Sequence, residues 1–300
     1  MSSSLATTRV LSLVGTSVLV CLATLAFTPA ATARQSYLHL SAPQRILEHP
    51  QKWEGDQQPH TLSVVELDRG GYKYWGWYGL NMGRGIGLTR SNDLVHWIKY
   101  TGNPLLKNAR WASVLKGADP EHPDVLYFAI TRNYDTPTSH IMLAKSTDGI
   151  HLSEVGTLVK PVTGQRNQNP NLFHDPVSGE FFLTFYRGND HDHFEIVSKS
   201  AKTIQGLADA PAKRLIFSNQ TVAAPTLLYV PRAGAHGSGI YYLATEIYPR
   251  RYISQTTGWG VKVFYSDKAN GTFHPVDDNP VQSGGRACLF QFIFDSARAD

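Results

Sequence analysis

The feature that most constrains this chain is a repeated block of β-strands. Four segments rich in aromatic and β-branched residues follow one another, at residues 72–78, 125–130, 181–186 and 240–245. Each is preceded by a turn rich in Gly, Pro, Asp or Ser and by a shorter first-strand segment, which is the pattern of a β-hairpin. Equivalent first-strand positions lie 50 to 65 residues apart, at Val64, Val114, Leu172, Leu227 and Phe292. This period predicts structural repeats that bury their faces against one another.

Each well-formed repeat continues into two further strands. Third-strand segments that end on a turn-capping Ser and Asp are found at 86–93, 141–148 and 261–267. Short fourth-strand segments follow them at 95–97, 150–152 and 271–274. A repeat of four strands is a propeller blade. Because 11% aromatic residues, 25 Gly and 17 Pro also favour many short strands, we predict an all-β fold, a five-bladed β-propeller.

The fifth blade is short of residues at the C-terminal end of the sequence. Only the strand segment 288–294 precedes the end at Asp300, and residues 296–300 take the place of the next turn. An open blade leaves unpaired strand edges, so either residues 34–56 return strands to it or the reading frame is truncated. We favour truncation and expect one propeller domain over residues 34–300 with an incomplete fifth blade.

Residues 1–33 have the pattern of a secretory signal peptide. Arg9 is the only charge before the uncharged run 10–27, and Ala31-Thr32-Ala33 offers the small-x-small pattern of a cleavage site. An uncleaved membrane anchor is the alternative, since the run is long enough to span a bilayer, but Gly, Ser and Thr residues dilute it. We expect cleavage after Ala33, a secreted or periplasmic protein, and no membrane association of the mature chain.

Charge, cysteine content and short motifs exclude several other classes. The formal net charge is only +4 and no Lys/Arg block reaches five residues, so we expect no nucleic-acid partner. Cys288 is the only cysteine after residue 33, which excludes an intramolecular disulfide in the mature chain. The glycine-rich segment 83–87 leads into a strand, so no dinucleotide cofactor is predicted. In a strand, the Asp-His-Asp-His segment 190–193 would place its two Asp and its two His residues on opposite faces. We therefore predict no metal site.

One segment resembles a known family. Residues 85–97, Gly-Ile-Gly-Leu-Thr-Arg-Ser-Asn-Asp-Leu-Val-His-Trp, with Gly-Asn-Pro-Leu-Leu at 102–106, are similar to the first-blade signature of the five-bladed β-propeller glycoside hydrolases, the arabinanase, β-xylosidase and levansucrase superfamily. The resemblance implies a substrate at the mouth of the central funnel and three acids spread over three blades. Those acids usually stand where the innermost strands begin, and this chain has Thr61, Trp111 and Gln168 at such places.

Carboxylates are instead predicted in the loops that follow the second strands. Hydrolysis of a glycosidic bond needs two carboxyl groups that flank it, one protonated and one ionised. We select Asp135, Asp190 and Glu246 as the catalytic candidates, with Glu246 as general acid because it ends an aromatic strand. The alternative is that these are solvated turn-capping charges. Asp56, before the first inner strand, is kept as a reserve acid.

Polar, basic and aromatic residues around the same mouth are the candidates for binding substrate. His60 and Asn169 are assigned to sugar hydroxyls, Trp111 to a stacking surface, and Arg132 and Arg187 to the tuning of a nearby acid. The full predicted set is His60, Asn81, Arg84, Trp111, Arg132, Gln168, Asn169, Arg187 and Arg286. No cofactor is required.

Two classes of function follow from the sequence. The first is a secreted glycoside hydrolase that acts on an oligosaccharide or polysaccharide at the propeller funnel. The second is a non-catalytic glycan-binding propeller. A protein-binding propeller is less favoured, because the polar residues collect at one mouth.

Overall fold

A computed structural model describes residues 7–14, 17–25, 38–40, 46–80, 82–134, 136, 138–189, 194–216, 219–231, 238–249, 258–283 and 287–294. In chain order the strands are β1 (Thr7–Val14), β2 (Ser17–Leu25), β3 (Leu38–Leu40), β4 (Pro59–Arg69), β5 (Tyr72–Leu80), β6 (Gly85–Ser91), β7 (Trp97–Lys99), β8 (Leu106–Lys107), β9 (Ala109–Lys116), β10 (Leu126–Arg132), β11 (His140–Ser146), β12 (Ser153–Val159), β13 (Arg166–His174), β14 (Phe181–Gly188), β15 (Glu195–Ala201), β16 (Lys213–Arg214), β17 (Thr221–Val230), β18 (Ile240–Tyr248), β19 (Gly260–Ser266), β20 (His274–Pro275), β21 (Gln282–Ser283) and β22 (Ala287–Phe294). A short 3-10 helix covers Gln205–Ala208. Among the described residues, no helix has the length and apolar character to cross a membrane.

The strands form separate antiparallel sheets that follow one another along the chain. Blade I has the order β4-β5-β6-β7, blade II β9-β10-β11-β12, blade III β13-β14-β15-β16 and blade IV β17-β18-β19-β20. Each blade starts with its innermost strand, and neighbouring innermost strands lie against one another in the order β4, β9, β13, β17 and β22, with β22 returning to β4. The predicted all-β propeller is confirmed, and the four aromatic segments are the second strands of blades I to IV.

The fifth sheet combines the two ends of the described chain. Its order is β22-β1-β2-β3, so β22 is paired with β1 from Thr8 opposite Phe294 to Val14 opposite Ala287. Strands β1 and β2 lie within the segment predicted to be a signal peptide. Cleavage after Ala33 would leave only β3 and β22 of this sheet, so the expected incomplete fifth blade depends on that cleavage.

If the chain is exported and cleaved as the sequence predicts, we expect it to begin at Arg34 and to unfold at a lower temperature than the full chain. The physical reason is that cleavage removes the strands that pair with β22 and exposes its hydrogen-bonding edge. N-terminal sequencing of the exported protein and thermal unfolding of both forms measure this. An exported chain that retains residue 7 would contradict cleavage, and equal unfolding temperatures would show that β1 and β2 do not stabilise the ring.

Adjacent innermost strands are joined by side-chain-to-backbone hydrogen bonds at equivalent positions. The Ser63 hydroxyl accepts from the Val114 N–H at 3.0 Å, between blades I and II. The Ser113 hydroxyl accepts from the Leu172 N–H at 2.9 Å, between blades II and III. The amide oxygen of Asn171 accepts from the Leu227 N–H at 3.0 Å, between blades III and IV. In each of blades I, II and III, one polar side chain therefore fixes the register of the next blade.

Aromatic side chains fill the spaces between the blades. The Trp77 ring of β5 meets the Phe128 ring of β10 edge to face, with 5.3 Å between centroids. Phe173 of β13 meets Tyr241 of β18 in the same way at 6.4 Å. Both arrangements are the favoured geometry for aromatic pairs. Aromatic residues of the repeats thus form contacts between neighbouring blades.

The Ser and Asp at the ends of the third strands cap tight turns, as predicted. The Ser146 hydroxyl accepts from the Gly149 N–H at 2.9 Å, and Asp148 accepts from the backbone N–H of both Ile150 and His151 at 2.8 Å. The His151 ring lies 2.6 Å from the same carboxylate. Desolvation opposes ionisation of Asp148, but these hydrogen bonds outweigh it and hold its pKa well below the usual range. Ser91 and Asp93 make the matching set in blade I.

We expect Ser113→Ala to lower the free energy of unfolding by about 1–3 kcal/mol, because it leaves the Leu172 N–H buried without an acceptor. Denaturant titration measures this. Ser153→Ala is the matched control, because Ser153 lies exposed on β12 and its loss should change the free energy by at most about 0.5 kcal/mol. Equal effects of the two substitutions would show that the hydrogen bond between blades II and III does not stabilise the ring.

Candidate functional site

Each of the innermost strands β4, β9, β13 and β17 begins with a β-bulge. The register with the second strand shifts there by one residue, and the extra positions fall at His60, Trp111, Asn169 and Ala224. Trp111, Asn169 and Ala224 have positive φ angles of 50°, 53° and 51°. Bulges redirect side chains and are frequent beside functional sites. We call the end of the propeller at which these strands begin the mouth.

Trp111 is enclosed by its neighbours at the mouth. Its side chain is 4% exposed, and the Arg110 guanidinium lies 4.0 Å from the centre of its ring. The Tyr134 ring stands perpendicular to it at 5.0 Å, and the Tyr186 ring at 6.3 Å. The expectation that Trp111 offers an open stacking surface is therefore corrected, because groups from blades II and III cover it.

Two buried polar atoms at the mouth lack partners. Neither the indole N–H of Trp111 nor the side-chain oxygen of Asn169 has a hydrogen-bond partner among the described residues, and Asn169 is only 3% exposed. A buried polar group without a partner costs about 1–3 kcal/mol. One atom is a donor and the other an acceptor, and both belong to bulges of adjacent blades.

Gln168 has a structural role in the described site. Its amide oxygen accepts from the Tyr186 hydroxyl, and its amide nitrogen donates to the Ser139 hydroxyl at 3.1 Å. The side chain is fully buried. Gln168, predicted to bind substrate, instead ties the β10–β11 loop of blade II to blade III.

The predicted basic residues are engaged in local contacts. Arg132 donates to the Lys107 carbonyl, and Arg187 donates through Nε to Glu195 at 2.9 Å. Both were expected in loops, but they belong to the ends of β10 and β14. Arg84 lies 3.8 Å from Asp56, whose side chain is 92% exposed. The reserve acid Asp56 is thus a surface residue beside a surface cation.

Glu246 belongs to strand β18 and was wrongly expected in a loop. It is 1% exposed and pairs in register with Ala223 of β17 on one side and Val261 of β19 on the other. The strand extends two residues further, to Tyr248. The other predicted acids and two predicted binding residues lie outside the described residues: Asp135, Asp190, Asn81 and Arg286. The roles assigned to them stay predictions.

A second buried carboxylate lies next to blade I. Glu54 is fully buried and accepts from the Tyr78 hydroxyl at 2.6 Å and from Lys99 Nζ at 2.9 Å. Burial, followed by the hydrogen bond to this carboxylate, raises the pKa of Tyr78 far above its usual range. The Gln51 N–H donates to the same carboxylate at 2.9 Å. Because Tyr78 and Lys99 belong to blade I, Glu54 anchors the segment before β4 to the blade.

Residues of neighbouring loops complete the mouth, and sequence reasoning gave them no role there. Tyr134 and Ser139 come from the loop between β10 and β11, and Tyr186 comes from the end of β14. His60 lies at the first bulge and is 9% exposed, so its predicted position at the mouth agrees with the structure. The Arg110-Trp111 pair at the start of an innermost strand was the sequence signal for the aromatic part of this cluster.

Comparison with known proteins identifies the fold. No family model matches the chain, and no curated protein matches it in sequence. Among solved structures, a thermostable family-43 glycoside hydrolase has a TM-score of 0.56 and 14% identity over 76% of this chain and 75% of its own. An endo-arabinase from Bacteroides thetaiotaomicron VPI-5482 has a TM-score of 0.53 and 12% identity over 74% and 80%. This chain has the β-propeller fold of these structures.

A third similar structure widens the range of sugar chemistry on this fold. An N-acetylgalactosamine deacetylase from F. plautii, in complex with blood group B trisaccharide, has a TM-score of 0.53 and 16% identity over 74% of this chain and 70% of its own. At identities this low, the structural similarity establishes a common fold and does not establish the reaction.

Proposed function

We propose that this protein binds a carbohydrate at the mouth formed by blades I, II and III. The observation that carries the proposal is the pair of buried, unpartnered polar atoms at Trp111 and Asn169. A sugar hydroxyl both donates and accepts, so it is a chemically suitable partner for either atom when the groups that cover it move aside. The similar structures include an arabinase, a family-43 glycoside hydrolase and an enzyme in complex with a trisaccharide, which supports a carbohydrate ligand.

The polar groups that line this part of the mouth are mostly neutral. The first residues of the innermost strands supply an indole, an amide and a hydroxyl, from Trp111, Asn169 and Thr61. Rigid bulges hold two of these groups, so little conformational freedom is lost when a ligand binds. A pre-organised, partly aromatic site in which neutral hydrogen-bonding groups lie beside one arginine suits the recognition of sugar hydroxyls.

We expect Trp111→Phe to weaken the binding of an oligosaccharide about three- to tenfold, because one hydrogen bond is worth about 0.5–1.5 kcal/mol. Calorimetric titration with arabino-, xylo- and fructo-oligosaccharides measures it. The control is Trp77→Phe, since the Trp77 indole donates to the Gly149 carbonyl at 2.9 Å, away from the mouth. Trp77→Phe should lower stability and leave affinity unchanged. Equal affinities of the two variants would contradict a role for the Trp111 N–H.

Hydrolysis is the second candidate function, and the position of Glu246 favours it. Its register partner Ala223 directly precedes the bulge at Ala224, so the innermost strand has two small side chains next to Glu246 in the sequence register. A carboxyl group one strand further out can therefore approach the mouth over a small neighbour. We propose Glu246 as general acid, with Asp135 or Asp190 as the second carboxylate that glycoside hydrolysis requires.

We expect Glu246→Gln to lower turnover of a cleaved oligosaccharide by a factor of about 10² to 10⁴, since an amide cannot donate the proton that the leaving oxygen needs. Binding should survive, because shape and hydrogen bonding are kept. Release of reducing ends measures turnover, and Glu195→Gln is the control, because Glu195 is held by Arg187 and Arg214 in blade III. Undiminished turnover would remove Glu246 from the mechanism, and glycan binding by a wild type without turnover would leave the protein a lectin-like propeller.

We further propose that the protein acts outside the cytoplasm. The support is the uncharged run 10–27 followed by Ala31-Thr32-Ala33, which has the pattern of an export signal. Extracellular or periplasmic oligosaccharides are then the ligands that the protein encounters. Fractionation of the producing cells, followed by N-terminal sequencing of the protein found outside the cytoplasm, tests this proposal.

A further inference from the structure

We propose that Tyr134 is the ring on which a sugar stacks at the mouth, in place of Trp111. The inference rests on the proposed glycan binding and adds the residue whose ring contacts the apolar face of the sugar. Tyr134 is half-buried, whereas Trp111 is almost fully enclosed. The ligand class is therefore a pyranose or furanose with an apolar C–H face, in the context of an oligosaccharide.

Tyr134 is held in place by the two residues that start β9. Its ring stands at 86° to the Trp111 ring with 5.0 Å between centroids, and the Arg110 guanidinium lies 4.2 Å from its centre. The same guanidinium also lies over Trp111, so one buried cation contacts both rings. Contacts of this kind fix the orientation of an aromatic ring. Tyr134 is half-buried, so part of its side chain stays exposed.

The loop that carries Tyr134 is braced from within. The Thr136 hydroxyl donates to the Asn133 carbonyl at 2.8 Å, and the Asn133 side chain donates to the Thr138 hydroxyl at 3.2 Å. The Ser139 N–H donates to the Thr136 carbonyl at 3.0 Å. Such local hydrogen bonds hold a turn in one conformation. Tyr134 therefore need not be ordered when a ligand arrives.

Neighbouring blades brace the same loop from outside. In the link between β8 of blade I and β9 of blade II, the Asn108 carbonyl accepts from the Asn133 N–H at 3.4 Å. From blade III, Gln168 donates to the Ser139 hydroxyl at 3.1 Å. The loop thus lies where three blades meet, and its Tyr134 ring contacts the Trp111 ring. A sugar that stacks on Tyr134 lies next to the Trp111 part of the proposed site.

Gly83 in blade I makes room for the tyrosine. Its φ angle is +74°, and a Cβ atom added to it would lie 3.1 Å from Tyr134 Cβ and 3.2 Å from Cδ1. A side chain there is strained by the backbone and also crowds the ring. Gly83→Ala is therefore a second, independent way to displace Tyr134 without changing its chemistry.

The test compares four variants by titration with arabinotriose, xylotriose and blood group B trisaccharide. Tyr134→Leu, which keeps bulk without the aromatic face, should weaken binding of the best ligand about tenfold, and Tyr134→Phe should bind within about twofold of the wild type. Gly83→Ala should weaken binding severalfold. Tyr265→Ala, a half-buried tyrosine on β19 far from the mouth, should bind as the wild type does. Thermal unfolding of each variant separates loss of the ring from loss of the fold.

The outcomes distinguish the two proposals. If the wild type binds and Tyr134→Leu binds equally well, the stacking role is wrong while glycan binding stands. If Tyr134→Phe is as weak as Tyr134→Leu, the hydroxyl group rather than the ring face makes the contact, which also overturns the inference. If the folded wild type binds none of these sugars but binds another glycan, the same four variants decide with that glycan. Binding to no glycan at all overturns both proposals.

Discussion

The hydrogen bonds between adjacent innermost strands are the constraint on which the rest of this propeller depends. Ser63, Ser113 and Asn171 each accept from a backbone N–H of the following blade. The first two of these bonds are buried and the third is partly buried, and each one limits how far a blade can slide past its neighbour. The aromatic pairs between the blades then pack in a single arrangement.

The position of the site follows from this constraint. In blades II and III the acceptor side chain stands two residues after the bulge, so holding Ser113 and Asn171 also holds Trp111 and Asn169. The Trp111 ring then contacts Tyr134 of the β10–β11 loop and Tyr186 of blade III. The lack of partners at the polar atoms of Trp111 and Asn169 is tolerated because the surrounding ring determines their place, which is typical of functional sites.

Sequence reasoning located the strands of the blades better than the ends of those strands. It ended the second strands before Arg132, Arg187 and Glu246, because charged residues after an apolar run are usual in loops. The strands continue because these charged residues pair with residues of neighbouring strands. Arg187 is opposite Glu195, and Glu246 is opposite Ala223. Cross-strand partners of this kind come from segments that local sequence patterns do not connect.

The sequence by itself determined the repeat, the four strands of the well-formed blades and the Ser-Asp turns, because periodicity and turn chemistry are local properties. It also indicated that the starts of the innermost strands form the mouth. Only the tertiary structure decided that Trp111 is enclosed, that Gln168 is used by Tyr186 and Ser139, and that Tyr134 stands at the seam of three blades. These outcomes depend on which side chains of distant loops reach one another, and that is settled by packing around the ring.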